Sequence, residues 1–511
     1  MSKDFLLTKI VATLGPASAD AAIIEKLIVE GVRVFRINFS HGTFDEYEEL
    51  LDNVRATSHK LDTPIGVLGD LAGPKIRVGG VTNGGVDLLV GQTVEFQKEE
   101  IVTQPPDRPT EAIVFSTNYP NFIQEVQVGE KVLLDDGYVK LICTDKSDSR
   151  LSCRVVDGGV ITSNKGVNLP DTDLTVPALT EYDMTCVEFA VEKQFDFLAL
   201  SFVRTGADVR QLKKKLTDLG ARPKEDFTYS DEQLQFSAIE IESESIIPVI
   251  SKIEKPQAVE NLKDILRETD GVMVARGDLG VEMDLAEVAV TQKRIINLCH
   301  EYGMPCIVAT QMLQSMIDSP SPTRAEVSDV ANAIFDGADA VMLSGETAIG
   351  QYPVETVRMM SRIADYTNSY IKSQSFVSSS PGQVSDAHRR TAAVAASVRT
   401  IVEYLDVKYI IVWSQLGGAA VYLSQQRIPR PILFFSPSDT ILRRASLLYG
   451  LEPVYMPRQT SNTGFFQTVD HLLTDNGWAQ NGDPVVFVVA EPITRVGIAN
   501  EIVIHYVGDA I

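Results

Sequence analysis

The sequence predicts an α/β protein: a (β/α)8 TIM barrel with an inserted all-β lid domain and a C-terminal α/β domain with an open sheet. Three observations lead to this prediction. Apolar runs of strand length alternate with segments of helical periodicity through eight β/α steps, which is the pattern of a parallel barrel. The alternation breaks once, after the third strand, where short β-type runs with Gly and Asp turns take over. Charged and hydroxyl side chains directly follow the barrel strands, at the end where such barrels carry their sites.

The length of the chain requires several domains. A chain of 511 residues is too long for one compact core. The predicted boundaries give a first part of the barrel, an inserted β module, a second part of the barrel and a C-terminal domain, at residues 1–74, 75–176, 177–355 and 356–511.

Charge, hydropathy and cysteine content exclude several classes of protein. The net charge of −23 argues against a nucleic-acid partner or an anionic membrane surface. No apolar run reaches the roughly 18 residues of a membrane span, and the N-terminus lacks the pattern of a secretory leader. The five cysteines form no CxxC pair, which favours reduced thiols over disulfides or zinc. We therefore expect a cytoplasmic protein without nucleic-acid or membrane partners.

The first part of the barrel has the order βαβαβ. Its elements are predicted at Lys9–Gly15, Ala21–Glu30, Val32–Phe39, Phe44–Lys60 and Ile65–Leu71. The inserted β module then has predicted strands at Gly91–Phe96, Lys131–Leu134, Tyr138–Cys143 and Arg150–Val156, without a helical pattern. Short runs of this kind are typical of a separate all-β unit.

The α/β alternation resumes at Pro177 and completes the barrel. The remaining elements are predicted at Glu181–Lys193, Phe195–Val203, Ala207–Leu219, Ile246–Ile253, a helix that includes Val259 to Leu266, Gly271–Ala275, Leu285–Tyr302, Met304–Gln311, Thr323–Phe335 and Ala338–Leu343. The acidic segment Ala221–Glu244 is predicted to be a long loop. Loops of that length are uncommon inside a domain, so we expect this one to be functional or mobile.

The C-terminal domain is predicted as a small open sheet with helices on both faces. A helix at Val354–Tyr370 and a Ser-rich linker at Ser373–Asp386 precede it. Its predicted strands are Tyr409–Trp413, Ile432–Phe435, Pro453–Met456, Val485–Val489 and Glu501–Tyr506.

The stretch from Ile246 to Gly280 carries the densest chemistry. Lys252 and Glu254 end one strand, and they point to the same side because side chains alternate along a strand. Asp278 follows the next strand. An ammonium and two carboxylates at neighbouring strand ends suit a hard cation, Mg²⁺ or Mn²⁺, and an anionic substrate. Surface ion pairing is the alternative, but the other strands repeat the pattern.

Other strands add polar groups to the same rim. These are Thr13, Arg36, Asn38, Ser40, Asp70, Arg276, Thr310, Ser344 and Glu346. Arg36 and Lys252 suit a phosphate, since arginine offers a fork of donors and lysine a point charge. The turn predicted at Gly277–Gly280 offers backbone N–H groups to a carboxylate.

The chain also carries a set of motifs in a fixed order. They are FRINFSHG, GDLAGPKIR, ISKIEKPQAV, VMVARGDLG, ATQMLQSM, SPTRAEVSDVANAI and ADAVMLSGETAIG. Together with the inserted β module and the C-terminal domain, this set resembles that of the pyruvate kinases over the whole barrel. The resemblance implies transfer of the phosphoryl group of phosphoenolpyruvate to ADP, giving ATP and pyruvate in the last step of glycolysis. It also implies a homotetramer and a β module that closes over the cleft.

The resemblance assigns a role to each matching residue. Lys252 would offset the charge of the transferring phosphoryl group and of the developing enolate. Arg36 would bind the phosphate, and Glu254 and Asp278 would hold the metal. Thr310 would stand near the carbon that gains the proton.

Further roles follow from the same resemblance. Ser344 and Glu346 would form a hydrogen-bond relay behind Thr310, and Gly277 would belong to the substrate site. The nucleotide side would be formed by Thr13, His41 and Arg77.

The run after the third strand departs from the potassium-dependent members. It reads DLAGPK and lacks their Thr and Glu. The monovalent-cation region comprises Asn38, Ser40, Asp70, Leu71 and Lys75. Because the Lys75 ammonium would stand near where K⁺ acts, we expect activity to need a divalent metal but not K⁺. The alternative is a Lys75 side chain that points to solvent.

Two departures concern the nucleotide and the effector. Tyr182 stands where many members carry a lysine that contacts nucleotide phosphate. Ser414–Ala420 and Glu491–Asn500 lack the hydroxyl-rich pattern of sugar-bisphosphate-activated members, so we do not expect activation by fructose 1,6-bisphosphate. Another phosphorylated effector, held by glycine N–H groups and Arg495, and an effector-free assembly domain both stay open.

Two other functions compete with this interpretation. A metal-dependent lyase or aldolase of phosphoenolpyruvate would use a similar barrel, but such enzymes lack the inserted β module and the C-terminal domain. A regulatory protein without activity would have lost a catalytic group, whereas Lys252, Glu254 and Asp278 are present.

Overall fold

The computed structural model describes residues 5–82, 84–106, 108, 111–220, 246–374, 389–497 and 499–510. The strands are β1 (Lys9–Thr13), β2 (Val32–Asn38), β3 (Gly66–Asp70), β4 (Val86–Leu88), β5 (Thr93–Gln97), β6 (Ile113–Ser116), β7 (Lys131–Leu134), β8 (Val139–Lys146), β9 (Arg150–Asp157), β10 (Gly159–Ile161), β11 (Val167–Asn168), β12 (Phe197–Leu200), β13 (Val249–Ile253), β14 (Gly271–Ala275), β15 (Cys306–Ala309), β16 (Ala340–Leu343), β17 (Tyr409–Trp413), β18 (Ile432–Ser436), β19 (Leu451–Tyr455), β20 (Pro484–Val489) and β21 (Glu501–Tyr506). The predicted loop Ala221–Glu244 and most of the predicted linker Ser373–Asp386 lie outside the described residues.

The helices surround these strands in the predicted alternation. They are α1 (Ala21–Val29), α2 (Phe44–Lys60), α3 (Phe122–Glu125), α4 (Glu181–Glu192), α5 (Gly206–Asp218), α6 (Pro256–Glu260), α7 (Leu262–Glu268), α8 (Arg276–Glu282), α9 (Leu285–Tyr302), α10 (Arg324–Phe335), α11 (Gly345–Ala348), α12 (Pro353–Ser373), α13 (Arg389–Tyr404), α14 (Gly418–Gln425), α15 (Asp439–Ala445) and α16 (Asn462–Asp475), with a 3-10 turn at Gln314–Ile317.

Eight parallel strands close into a barrel. Their order around it is β1, β16, β15, β14, β13, β12, β3 and β2. Strands such as β14, with the sequence GVMVA, are apolar and buried on both faces, as parallel strands covered by helices must be. The inward side chains, among them Leu68, Phe197 and Met273, fill the interior as a packed core. The predicted fold class is confirmed.

The barrel helices begin at polar caps and bury one face. In α2, the Thr43 side chain accepts from the Glu46 backbone N–H and the Glu46 side chain accepts from the Thr43 N–H. This reciprocal cap satisfies donors that the first helical turn leaves unpaired. Tyr47, Leu51 and Val54 then face the barrel core.

The inserted β module has its own core. A six-stranded sheet in the order β11, β7, β8, β9, β5, β6 lies with the pair β10 and β4, and apolar residues such as Phe96 and Phe115 fill its interior. The module contains the short helix α3, although the sequence predicted no helix there. A helix of four residues is too short to give a helical period in the sequence.

The C-terminal sheet has the order β19, β18, β17, β20, β21, and only β21 is antiparallel to its neighbour. The preceding helix α12 packs against the barrel helices α1 and α10. The predicted boundary at residues 355 and 356 falls within α12, and the exact domain boundaries stay predictions.

Buried ion pairs join the C-terminal domain to the amino-terminal edge of the barrel. Asp196, just before β12, pairs with Arg443 at 2.8 Å, and Asp339, just before β16, pairs with Arg427 at 2.8 Å. The carboxyl-terminal edge of the barrel faces the inserted β module, since residues of both line one cleft. Among the described helices, none is both long and apolar enough to cross a membrane.

Candidate active site

Lys252 lies at the centre of the polar groups on the carboxyl-terminal rim. Its Nζ is 2.8 Å from Ser201 Oγ, 2.9 Å from Glu254 Oε1 and 3.3 Å from Asp70 Oδ1. Burial by itself would lower the pKa of Lys252, but the Asp70 and Glu254 carboxylates outweigh it and raise the pKa. The ammonium therefore stays charged at neutral pH.

Asp70 connects two cations. Arg36 Nε donates to Asp70 Oδ2 at 2.6 Å, and Lys252 approaches the other carboxylate oxygen. Burial alone would raise the pKa of Asp70, but Lys252 and Arg36 together hold it below its usual value. The result is a fixed arrangement of two positive charges around one buried carboxylate.

Thr13 holds Arg36 in place through a hydrogen bond. Its hydroxyl accepts from Arg36 Nη1 at 3.1 Å and donates to the Leu343 carbonyl at 2.9 Å. Both hydrogen-bonding directions of the Thr13 hydroxyl are therefore used inside the barrel rim.

Glu254 and Asp278 are the carboxylates that could hold a cation. Glu254 is 3% exposed, and its Oε2 accepts from the Phe202 backbone N–H at 2.7 Å. Burial raises the pKa of Glu254, although Lys252 opposes the shift, and the Asp278 charge adds to it. Asp278 faces a cleft where the surrounding protein removes water and raises its pKa, against the opposing charges of Lys252 and Lys75.

The donor chemistry of this pair fits a hard divalent cation. No cluster of three or more His, Cys, Asp or Glu side chains suited to a metal occurs among the described residues. Magnesium, however, commonly binds through one or two carboxylates and completes its shell with water and substrate oxygens. Two like-charged carboxyls with raised pKa values are the condition that a bound cation relieves.

Gly277 and Thr310 join β14 to β15 at the rim. The residues Gly277–Gly280, predicted as a turn, instead lie in helix α8. The Gly277 N–H donates to Thr310 Oγ1 at 2.7 Å, and Thr310 Oγ1 donates to the Ala309 carbonyl at 2.6 Å. Thr310 has a φ of +69°, which is unusual for a β-branched residue and is typical of functional sites.

Glu346 holds the next two loops together. Its carboxylate accepts from the Ser344 N–H at 2.7 Å and from the Leu313 N–H at 3.1 Å. Ser344 Oγ is buried, and no partner for it is present among the described residues. Buried hydroxyls are normally paired, so a hydroxyl of this kind is suited to a hydrogen bond with water or ligand.

A cleft separates the rim from the inserted β module. Its empty volume is about 620 Å³ including the open mouth. Asp278, Lys75 and Asp136 line it together with apolar residues from both sides. Lys75 is exposed but is among the residues that line the cleft, and its charge and that of Asp136 act on the pKa of Asp278 in opposite directions.

The remaining predicted residues lie around this rim or at the base of the module. Asn38 Oδ1 accepts from the Ser40 N–H at 3.1 Å, and the Leu71 carbonyl accepts from Ser201 Oγ at 2.7 Å. His41 is exposed. Arg77 Nη1 donates to the Asn164 carbonyl at 2.8 Å within the inserted β module.

The structure brings the core of the predicted rim together and adds two residues. Arg36, Asp70, Lys252 and Glu254 form one contact network. Ser201 and the Phe202 N–H, both absent from the predicted site, belong to that network. The hydroxyl directly after the apolar run of β12 was the signal for Ser201, because the other barrel strands place polar groups at the same point. Arg276 pairs with Asp329 at 2.6 Å and donates a hydrogen bond to the Thr310 carbonyl.

Comparison with known proteins agrees with this architecture. Residues 6–224 and 230–357 match the family model described as "Pyruvate kinase, barrel domain", and residues 392–505 match "Pyruvate kinase, alpha/beta domain". A pyruvate kinase of Mycobacterium intracellulare is 38% identical over 503 residues, which is 98% of each chain. One from Bacillus licheniformis is 37% identical over 506 residues, covering 99% of this chain and 81% of the relative.

A solved structure gives the same result. A crystal structure of a pyruvate kinase from Cryptosporidium parvum has a TM-score of 0.85 at 29% identity, covering 98% of this chain and 96% of the other. The similarity therefore extends through the barrel, the inserted β module and the C-terminal domain. The chain belongs to the pyruvate kinase family of phosphotransferases.

Proposed function

We propose that this protein transfers the phosphoryl group of phosphoenolpyruvate to ADP, with a divalent metal and without a requirement for K⁺. The observation that carries the proposal is the network of Arg36, Asp70, Lys252 and Glu254 on one barrel rim. It fixes two cations beside a candidate metal site, which is the arrangement that phosphoryl transfer between anionic molecules needs.

Lys252 and Arg36 supply fixed positive charge to the reaction. The charged Lys252 offsets the negative charge of the phosphoryl group in transfer and of the enolate that remains. Arg36 orients the phosphate through the donors that Asp70 leaves free. Because Asp70, Thr13 and Ser201 hold both cations in place, little reorganisation is needed when charge moves.

Glu254 and Asp278 would hold Mg²⁺ or Mn²⁺. When bound, the metal would supply Lewis-acid polarisation and charge neutralisation at substrate oxygens. The Phe202 N–H fixes Glu254, and α8 carries Asp278 at the edge of the cleft.

The proton side of the reaction belongs to the loops after β15 and β16. We place Thr310 next to the carbon that gains the proton, with Gly277 holding its hydroxyl. Ser344 and Glu346 lie on the neighbouring loop, and Glu346 fixes that loop through two backbone N–H groups. The free lone pairs and proton of Ser344 Oγ suit a bound water in this path.

We keep His41, which is exposed, and Arg77, which bonds within the inserted β module, as the predicted nucleotide side. Thr13, predicted for the same role, is 4% exposed and bonds to Arg36, so we assign it to positioning that arginine. We retain the homotetramer and the cytoplasmic location as predictions, and light scattering of the purified protein tests the first.

One assay distinguishes the competing functions. Pyruvate formation from phosphoenolpyruvate is measured with Mg²⁺, with and without ADP. A phosphotransferase forms pyruvate and ATP in equal amounts and only with ADP. Pyruvate formation without ADP would favour a lyase, and no pyruvate in either case would favour a regulatory protein.

Independence from K⁺ has its own test. Lys75 and Asp278 line the same cleft, which supports the hypothesis that the Lys75 ammonium is a built-in cation. The rate is measured with Na⁺ or K⁺ at fixed Mg²⁺ and ionic strength. The wild-type rate should change less than about tenfold, whereas Lys75→Glu should make the rate depend on K⁺. A more than tenfold rise in the wild type on adding K⁺ overturns this part of the proposal.

A further inference from the structure

A polar cluster, buried at Lys255 and Glu282 and half-buried at Asn168, joins the inserted β module to the barrel beside the proposed metal site. Asn168 on β11 donates through Nδ2 to Glu282 Oε1 at 2.9 Å. Lys255 Nζ lies 3.4 Å from both carboxylate oxygens of Glu282. The side chains of Lys255 and Glu282 are 6% and 2% exposed. These three residues are called the Asn168 cluster below.

The Asn168 cluster is linked to both proposed metal ligands through the backbone. Lys255 directly follows Glu254 in the chain. Glu282 lies four residues after Asp278 on the short helix α8, and residues four apart lie on the same face of a helix. Glu282 and Asp278 are therefore held by the same short helix.

The other connection of the module reaches Glu254 as well. Gly73, with a φ of +66°, packs so closely on Phe202 that an added Cβ would lie 2.6 Å from its ring. The Phe202 N–H is the donor that holds Glu254. Both connections of the inserted β module therefore contact residues next to the proposed metal ligands. Gly73, before the module, packs on Phe202, and Asn168, near its end, bonds to Glu282.

The contact between Asn168 and Glu282 matters for stability because the Glu282 carboxylate is buried. Removing one partner of a buried charged group leaves the other partner without its hydrogen bond or counter-charge, which costs more than losing a surface contact. Asn168, Lys255, Glu282 and Asp278 also line one continuous cleft. The module and the proposed metal ligands therefore share one cleft and one polar contact.

We propose that the Asn168 cluster couples the position of the inserted β module to divalent-metal binding at Glu254 and Asp278. Asn168, Lys255 and Glu282 are then positioning residues, which act through the two carboxylates. The inference rests on the proposed function, because it takes Glu254 and Asp278 as the metal ligands. Coupling is reciprocal, so metal bound at the rim must also restrain β11.

The test uses Mn²⁺ alone with the full-length protein. Free Mn²⁺ is measured by electron paramagnetic resonance to give the Kd, and hydrogen exchange of the amides in residues 166–169 is followed with and without Mn²⁺. Asn168→Ala should raise the Kd for Mn²⁺ by about 2- to 30-fold, the usual range of such couplings. It should also remove the slowing of exchange that Mn²⁺ causes in the wild type.

Asn121→Ala is the matched control. Asn121 is an exposed asparagine of the same module, and its side chain bonds to Thr175 at 3.3 Å. It should leave both measurements at the wild-type values. Glu282→Gln keeps an acceptor for Asn168 but leaves the Lys255 ammonium unpaired, so it should weaken Mn²⁺ binding while folding is retained.

The outcomes separate the coupling from the reaction. If the wild type binds Mn²⁺ and makes pyruvate with ADP, but Asn168→Ala matches it in both measurements, the coupling is overturned and the function stands. If Asn168→Ala loses Mn²⁺ affinity and exchange protection, but the wild type makes no pyruvate, the coupling stands and the function falls. A wild type that binds no Mn²⁺ overturns the coupling.

Discussion

The Lys252 ammonium is surrounded by more carboxylates than cations, and this environment determines how its removal should affect the rate. It contacts Asp70 and Glu254 directly, and both carboxylates keep it charged. We predict that Lys252→Met lowers kcat by about 100- to 1,000-fold, because removing one fixed group that stabilises developing negative charge costs about 2.7–4 kcal/mol. The measurement is the steady-state rate at saturating Mg²⁺, phosphoenolpyruvate and ADP.

An exposed lysine supplies the control for that variant. Lys60 lies on α2 with a side chain that is 65% exposed, so Lys60→Met should keep kcat within about twofold. Mn²⁺ binding should remain detectable in Lys252→Met, since Glu254 and Asp278 are still there. Near-normal turnover by Lys252→Met would refute the role given to this lysine.

Glu254 predicts how metal binding depends on pH. Burial raises its pKa, so the group stabilises the fold below its unfolded pKa, and this contribution is lost as pH rises through the raised value. In the metal-free protein, ionisation of the buried Glu254 carboxylate therefore destabilises the fold. A bound cation offsets this cost, and its effect is largest at high pH, where the carboxylate is ionised. We predict that Mg²⁺ raises the melting temperature more at pH 8 than at pH 5.

Thermal melts with and without Mg²⁺ at the two pH values measure this effect. Glu254→Gln is the comparison: it removes the titration of residue 254 but leaves that of Asp278, so the pH dependence should become smaller without vanishing. An equal stabilisation by Mg²⁺ at both pH values would contradict the assignment of Glu254 as a ligand.

At the scale of elements, the junction of α8 with β15 depends on a glycine. A Cβ at Gly277 would lie 3.2 Å from Thr310 Oγ1, closer than a normal contact. Gly277→Ala should displace the Thr310 hydroxyl and weaken the bond it accepts from residue 277, worth about 1 kcal/mol. We predict a fall in kcat of about fivefold with little change in the melting temperature, measured on the same preparation. An unchanged kcat would separate Thr310 from the proton path.

The strength of each sequence signal decided which elements could be predicted. The barrel strands are apolar runs, and α2 and α9 have the predicted bounds Phe44–Lys60 and Leu285–Tyr302 because long amphipathic helices with polar caps leave a clear period. Strands such as β11 have two residues, which is too few for a period. The sequence GDLG suggested a turn, but the fold places it in α8.

The candidate site divides in the same way. In a parallel barrel the carboxyl-terminal ends of all strands lie on one rim. The proximity of Arg36, Lys252 and Glu254 could therefore be predicted from their positions in the sequence. The proximity of Asn168 and Glu282 could not, since they are 114 residues apart and nothing in the local sequence of either indicates the other. Contacts between domains are fixed by packing that short-range patterns do not contain.

At the scale of the whole molecule, buried ion pairs fix the C-terminal domain to the barrel. Asp339 is 6% exposed, and Arg427 bonds to it at 2.8 Å and to the Ala338 carbonyl at 3.1 Å. Arg427→Met leaves the carboxylate buried without its cation. We predict a loss of about 3–5 kcal/mol in the apparent free energy of unfolding, measured from the shift in the urea midpoint.

An exposed pair provides the comparison for this variant. Arg210 bonds to Glu268 at 2.7 Å with a side chain that is 53% exposed. Arg210→Met should cost less than about 1 kcal/mol, because surface ion pairs contribute little. Equal losses in the two variants would show that the Asp339 pair is no more important than a surface pair.

The pairing of β3 with β12 has a consequence for biosynthesis. Leu68 is aligned with Phe197, and the entire inserted β module lies between them in the chain. On the ribosome, the first three barrel strands must therefore wait for β12 to emerge, while the module, with a core of its own, can already become compact. Long-range pairing of this kind slows folding. Until the last barrel strand has been synthesised, the nascent chain exposes unpaired strand edges to which chaperones can bind.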